Sequence, residues 1–212
     1  INLTSQRIDE QSETVTIKNP ENKVVDFVLF DPNRKIIKTV KFRRDFDELI
    51  AQAGRAENMI DRYNALLELR DYPAAEKWQL LTDIYNRETF HLTKSEIIHQ
   101  IATEWQRPGV EELILSAISD PDDKVRMAAL KAFPVIPAKW QEDFELLLSD
   151  KSYFNLEIAL ENLCNSFPEK YGAYLDMTAD ETGWRGRNIR MKWLEIAISR
   201  GGTAFIPELK NY

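Results

Sequence analysis

Two hydrophobic patterns divide the chain. Over residues 1–43 the apolar positions form short β-branched and aromatic blocks, whereas from Asp45 onward they recur at helical spacing almost without interruption. Glu13-Thr-Val-Thr-Ile-Lys18 alternates with period two. Val24-Val-Asp-Phe-Val-Leu-Phe30 is an apolar run closed by the turn residues Asp31-Pro32-Asn33. Beyond the turn, Ile36-Ile-Lys-Thr-Val-Lys-Phe42 puts Ile36, Val40 and Phe42 on one face, with Lys38 interrupting the alternation. These blocks predict a hairpin about Asp-Pro-Asn with the first block as a third strand. Three short strands are too few for a stable sheet domain, so the segment is expected to complete a larger sheet or pack beside one.

Residues 44–212 predict helices. Asp45-Phe-Asp-Glu48 has the form of a capping box, and Phe46, Leu49 and Ile50 begin a stripe that ends at Gly54. Pro73, Pro108, Pro121, Pro137 and Pro168 fall at first-turn or inter-helix positions, and only 7 glycines leave room for short loops alone. The clearest repeated unit is Asp120-Pro-Asp-Asp-Lys-Val-Arg126-Met-Ala-Ala129-Leu130-Lys-Ala-Phe133. Its plan recurs in Asp150-Lys-Ser-Tyr-Phe-Asn-Leu156-Glu-Ile-Ala159-Leu160-Glu-Asn-Leu163. Anchored on Arg126, equivalent positions are Arg62, Lys94, Leu156 and Arg190. Three and four residues later stand Ala65-Leu66, Ile97-Ile98, Ala129-Leu130, Ala159-Leu160 and Trp193-Leu194. Amphipathic stretches at 74–86, 110–119, 137–149 and 169–177 lie between anchors, so each repeat is two antiparallel helices that need a neighbour to bury their apolar faces. The fold class expected is mainly α: a right-handed α-α superhelix of about five helix pairs, preceded by a few strands confined to residues 1–43.

Asp-Pro-Asp-x-x-Val-Arg-x-x-Ala-Leu resembles a HEAT repeat, and each residue type has a reason. Asp120 is expected to cap a helix with Pro121 at its first position, and Asp122 and Asp123 favour the positive helix end. Ala128 and Ala129 allow close approach, and Val125, Leu130 and Phe133 fill the core. Arg126 is expected to pair with a loop carboxylate of an adjacent repeat, a ligand contact being its other use.

Charge and composition narrow the chemistry. With 28 Lys+Arg against 35 Asp+Glu the net charge is −7 and the pI about 5.1, which argues against a nucleic-acid partner. No apolar stretch approaches the roughly 20 residues that span a bilayer, so no membrane partner is expected. A single cysteine, Cys164, excludes an internal disulfide and a Cys-based zinc site, and its place in an apolar stripe reads as a buried structural thiol. His91 and His99 lack zincin spacing, so no metal or cofactor site is expected. The start at Ile1-Asn2-Leu3 shows no initiator Met or signal peptide and reads as a mature product or a fragment. That leaves the compartment open between cytoplasm and bacterial periplasm. Trp184-Arg185-Gly-Arg187-Asn-Ile-Arg190 gathers three guanidiniums at a helix start, where the macrodipole disfavours cations. Either an anion or peptide carboxylate binds there, or the charge is solvated, or the arginines brace Asp176, Asp180 and Glu181. Arg126, Arg185, Arg187 and Arg190 are therefore the candidate peptide or partner contacts. Lys41, Arg43 and Arg44 read as a basic run that blunts an edge strand. Trp78, Trp105, Trp140, Trp184 and Trp193 are expected in the core.

A wider resemblance spans nearly all of the chain. Phe27-Val-Leu-Phe-Asp-Pro-Asn33, Asp61-Arg62-Tyr-Asn-Ala-Leu-Leu-Glu-Leu69, and Asp150-Lys-Ser-Tyr153 leading to Ala159-Leu160-Glu-Asn-Leu163 resemble, in order and spacing, the C-terminal part of aminopeptidase N-type zinc metallopeptidases. In that family a small β-sandwich and a helical-repeat domain follow a thermolysin-like catalytic domain. The family's His-Glu-x-x-His and Gly-x-Met-x-Asn motifs are absent from this sequence and would lie upstream. The resemblance thus implies an exopeptidase parent that carries the zinc, and a segment with no catalytic residue, no cofactor and no activity alone. Its partners would be the parent's catalytic domain and peptide substrates. The helices bearing Arg62, Lys94, Arg126 and Arg190 would form a basic concave wall limiting entry to short peptides. The residues also admit a free-standing helical-repeat scaffold that binds another protein, and a catalytically dead relative of the aminopeptidase fold.

Overall fold

A computed structural model describes residues 7, 9, 11, 14–32, 35–37 and 43–212. Helices account for the regular structure: α1 Phe46–Arg55, α2 Met59–Glu68, α3 Ala74–Arg87, α4 His91–Ile101, α5 Val110–Ile118, α6 Asp123–Ala132, α7 Gln141–Glu145, α8 Tyr153–Ser166, α9 Tyr171–Met177, α10 Arg187–Ser199 and α11 Ile206–Leu209. The capping box opens α1, with the Glu48 amide donating to Asp45 Oδ1 (2.9 Å) and the Asp45 amide to Glu48 Oε2 (3.0 Å). Helix α6 starts two residues later than expected, because Asp122 and not Asp120 caps it, accepting from the Lys124 amide. Asp120 instead folds the loop by accepting from the Asp122 amide at 2.9 Å, and Asp150 does the same for the Ser152 amide at 2.7 Å. Both aspartates therefore hold matching places in successive loops.

The helices form two rows. In the inner row α2 packs on α4, α4 on α6, α6 on α8 and α8 on α10; in the outer row α1, α3, α5, α7 and α9 pack against them. The paired positions read from the repeat line the inner contacts. Ala65, Leu66, Ile97, Ile98, Ala129, Leu130, Ala159, Leu160 and Leu194 are all fully buried, and Trp193 nearly so. Alanine at three of these sites lets the helices approach closely, while each buried Leu or Ile contributes roughly 2 kcal/mol of transfer free energy. Trp140 joins this core; Trp78 and Trp105 pack against it half-buried. Trp184, expected there too, stands exposed in the turn before α10.

The expected strands are not formed. No strand occurs among the described residues: 14–18 and 24–30 lack regular structure, and 36–37 continue the loop. Glu13, Asn33 and 38–42 of the expected strands lie outside the described residues. The physical reason is that the turns close on side chains and not on a ladder. Asn19 bridges both polar backbone groups of Lys23 across a turn with Asn22 at φ 48°, and the Asp31 carboxylate accepts from the Lys35 and Ile36 amides at 3.0 Å each. Without a neighbouring strand, β-branched residues gain no cross-strand packing. Polar ties fasten this arm to the helices, among them Arg55 Nη1 to Asp26 Oδ2 (3.0 Å) and Asn58 Nδ2 to the Pro32 carbonyl (2.8 Å).

Candidate functional site: the polar seams of the inner helices

Each cation that anchors a repeat points to a carboxylate one repeat onward. Arg126 Nε and Nη2 donate to Asp150 Oδ2 and Oδ1 (2.6 and 2.7 Å), and its Nη1 to the carbonyls of Asp120 and Pro121. Lys94 Nζ reaches Asp120 Oδ2 at 2.6 Å, and Arg62 Nε reaches Glu88 Oε1 at 2.6 Å. At the far end Arg190 forms a two-pronged pair with Glu208 (2.7 and 2.8 Å) and lies 4.2 Å over the Trp193 ring. Leu156 carries no charge, and there the buried Asn155 donates instead to the Asp123 carbonyl at 2.9 Å. These contacts join the N-terminal ends of successive inner helices. The opposite ends are joined by amides: Gln100 donates to the Leu66 carbonyl (2.7 Å), and Asn162 to those of Leu130 (2.8 Å) and Phe133 (3.2 Å). The inner helices are therefore parallel, and the pairs α2–α4 and α6–α8 are stitched at both ends.

The electrostatics follow from this geometry. Burial opposes ionisation of Asp150, but the Arg126 fork, the Ser152 amide and Asn155 outweigh it and hold the carboxyl below the ordinary aspartate value. Arg126 and Arg190 are held more firmly protonated by the hydrogen bonds to Asp150 and Glu208. The expected basic wall is therefore charge-balanced: Arg62, Lys94, Arg126 and Arg190 are each neutralised by a partner. Arg126 makes the inter-repeat pair assigned to it from sequence.

The arginines at the start of α10 diverge. Arg190 turns to Glu208, Arg187 donates to the Tyr212 carbonyl and faces its ring, and Arg185 is exposed with no ion-pair partner among the described residues. Asp176, Asp180 and Glu181, the carboxylates expected to brace them, take part in none of these contacts. The three guanidiniums are not brought to one point.

Other titratable groups are structural in setting. The Cys164 thiol is buried, which pushes its pKa up to about 11. His91 Nδ1 lies 3.6 Å from Asp122 Oδ2, and His99 is exposed on α4. Among the described residues no group of three or more His, Cys, Asp or Glu side chains is placed to hold a metal ion. Sequence reasoning missed Lys77, a residue only 2% exposed whose ammonium donates to the Leu69 carbonyl; burial lowers its pKa against the pull of Glu96, Asp71 and Glu104. Its signal was its place on the apolar face of α3, between Ala74 and Leu81. It also missed the partner of Arg70, the nearly buried Glu96, which Gln100 supports at 2.8 Å. Compared with known proteins, the chain matches no family model, no curated sequence and no solved structure.

Proposed function

We propose that this chain is the non-catalytic helical-repeat part of a zinc aminopeptidase, where it walls the active-site cavity and limits the peptides that enter. The resemblance in motif order supplies the family. The observation that carries the reading is the apolar arm: Val24 and Val25 are 88% and 62% exposed and Ile37 fully so, although Asp26 and Pro32 tie the arm to the first helix pair. Contiguous exposed apolar surface marks a place that another surface covers, and a neighbouring domain of the same parent is a fitting cover. Peptide hydrolysis needs a polarising metal, a base and oxyanion donors held together, all supplied by the parent's catalytic domain. This chain contributes shape. Stitched to one another, its inner helices resist splaying, and their balanced charges favour selection by size over attraction. The test is removal of residues 46–212 from the full-length enzyme, followed by kcat/KM on single-residue amides and on long peptides. A relative gain on long peptides is expected. An unchanged length preference in a folded, zinc-loaded truncation overturns the reading.

A second reading, a scaffold that binds another protein, is favoured by Phe154 and Trp184, large aromatics 67% and 90% exposed. A stable partner recovered with the truncated segment alone, and lost in Phe154→Ser or Trp184→Ser, would support it.

A further inference from the structure

Between the end of α1, the start of α2 and the end of α3 lies a cleft of about 360 Å³, lined by Gly54, Ala56, Glu57, Arg62, Arg87 and Glu88. The repeat offers an internal comparison for it. Arg126 spends both prongs of its fork on Asp150 and its remaining nitrogen on two loop carbonyls. Arg62 makes the same carbonyl contacts, to Ala56 (2.8 Å) and Glu57 (2.7 Å), but only its Nε reaches Glu88. Its Nη2 has no partner among the described residues. Among the described residues Arg87 uses Nη2 alone, on the carbonyls of Gly54 (2.6 Å) and Ala53 (3.5 Å), which leaves its Nε and Nη1 open. One repeat later the position of Arg87 is Ser119, so the second guanidinium belongs to this repeat and not to the repeat's common plan.

We propose that this cleft binds a carboxylate, gripped between the open N–H groups of Arg62 and Arg87. Planar guanidinium forks match a carboxylate's two oxygens and remain charged at any accessible pH. The rim sets the charge of the guest. Glu57 and Glu88 already balance the two arginines, so a monoanion is accommodated and a dianionic phosphate is repelled. A cleft of this size holds a carboxylate with the residue that bears it, which suits either a small free acid or the C-terminus of a peptide. The proposal does not rest on the aminopeptidase reading, because it concerns two side chains of this chain alone.

The test is a nitrogen-15 NMR titration of the full chain, read at the arginine Nε–Hε signals with ionic strength held constant by sodium chloride. The probes are acetate, N-acetyl-glycylglycine, its C-terminal amide, and inorganic phosphate. Saturating shifts of the Arg62 and Arg87 signals are expected with both acids, with Kd on the order of millimolar. The amide should leave them unmoved and phosphate should bind more weakly than acetate. Tighter binding of the peptide acid than of acetate assigns the site to chain termini; the reverse assigns it to small acids. Arg87→Gln should weaken binding at least about tenfold, the loss of one charged bidentate contact, while Arg87→Lys, which keeps the charge but not the fork, should fall between. Thermal melting of each variant confirms folding. Shifts that are linear or equal with chloride, phosphate binding tighter than acetate, or Arg87→Gln binding like the parent chain would overturn the proposal.

Discussion

Removing the guanidinium of Arg126 strands a carboxylate: the Asp150 side chain is 2% exposed and, among the described residues, has Arg126 as its one cationic partner. Loss of one member of a buried pair costs far more than loss of an exposed one. Arg126→Gln is expected to destabilise the chain by about 3 kcal/mol in urea unfolding, near the low end for such pairs because Ser152 and Asn155 still reach Asp150. A cost below about 1 kcal/mol would mean the pair is solvated. The sign of the pH dependence follows from the depressed pKa of Asp150. Its contribution is complete above the unfolded aspartate value of about 4 and is lost as pH falls through the lower folded value. Stability should therefore decline below about pH 4, and less steeply in Arg126→Gln, where the pull of the guanidinium is gone. Cys164 gives a simpler outcome: with its pKa raised to about 11, the thiol should resist Ellman's reagent at pH 8 until the chain unfolds. The partner of Arg126 was legible because Asp120 and Asp150 open matching loops at one period. Glu88 stands where those loops carry aspartate and shares no repeated motif with them, so the partner of Arg62 was not.

At the scale of elements, helices were legible and strands were not, for different physical reasons. A helix satisfies its backbone within itself, so apolar spacing, Asp45-x-x-Glu48 and the prolines locate it from local sequence. A strand exists only through a neighbour, and Val24–Phe30 meets none among the described residues. The same distinction explains the missed cleft, since Arg62 and Arg87 meet only when α1, α2 and α3 have packed. Between elements, Gly109 combines a left-handed backbone with a close side-chain neighbour. It caps α5 at φ 88°, and an added Cβ would lie 3.1 Å from Trp78 Cζ2. Gly109→Ala is expected to cost about 1–2 kcal/mol from the backbone conformation alone, with the ring contact adding to it. An unchanged melting temperature would show that Trp78 and the loop shift freely. Asn162→Ala, which leaves the carbonyls of Leu130 and Phe133 without their donor, should cost about 2 kcal/mol.

For the whole molecule, the decisive fact is that each inner helix touches the one before and the one after. Stability in such an array is a sum of units and nearest-neighbour contacts, so its middle is held from two sides and its ends from one. Amide exchange should be slowest in α4, α6 and α8 and fastest in α1 and α11. Uniform protection would instead indicate one cooperative block. The stitches also bear on how such a chain changes length over generations. Arg62, Lys94 and Arg126 are 32 residues apart, and so are the acceptors Glu88 and Asp120. Excising residues 88–119 would bring Asp120 to the place of Glu88 within reach of Arg62, and would set Arg126 where Lys94 stood. Neither Arg62 nor Arg126 would lack a carboxylate, although Arg70 would lose Glu96 and the Leu66 carbonyl its Gln100 donor, and the inner row would close with Ala129 and Leu130 against Ala65 and Leu66. The molecule can thus be shortened by this period while the anchor joint between cation and loop carboxylate is inherited, whereas a deletion of half a period would break that joint on either side.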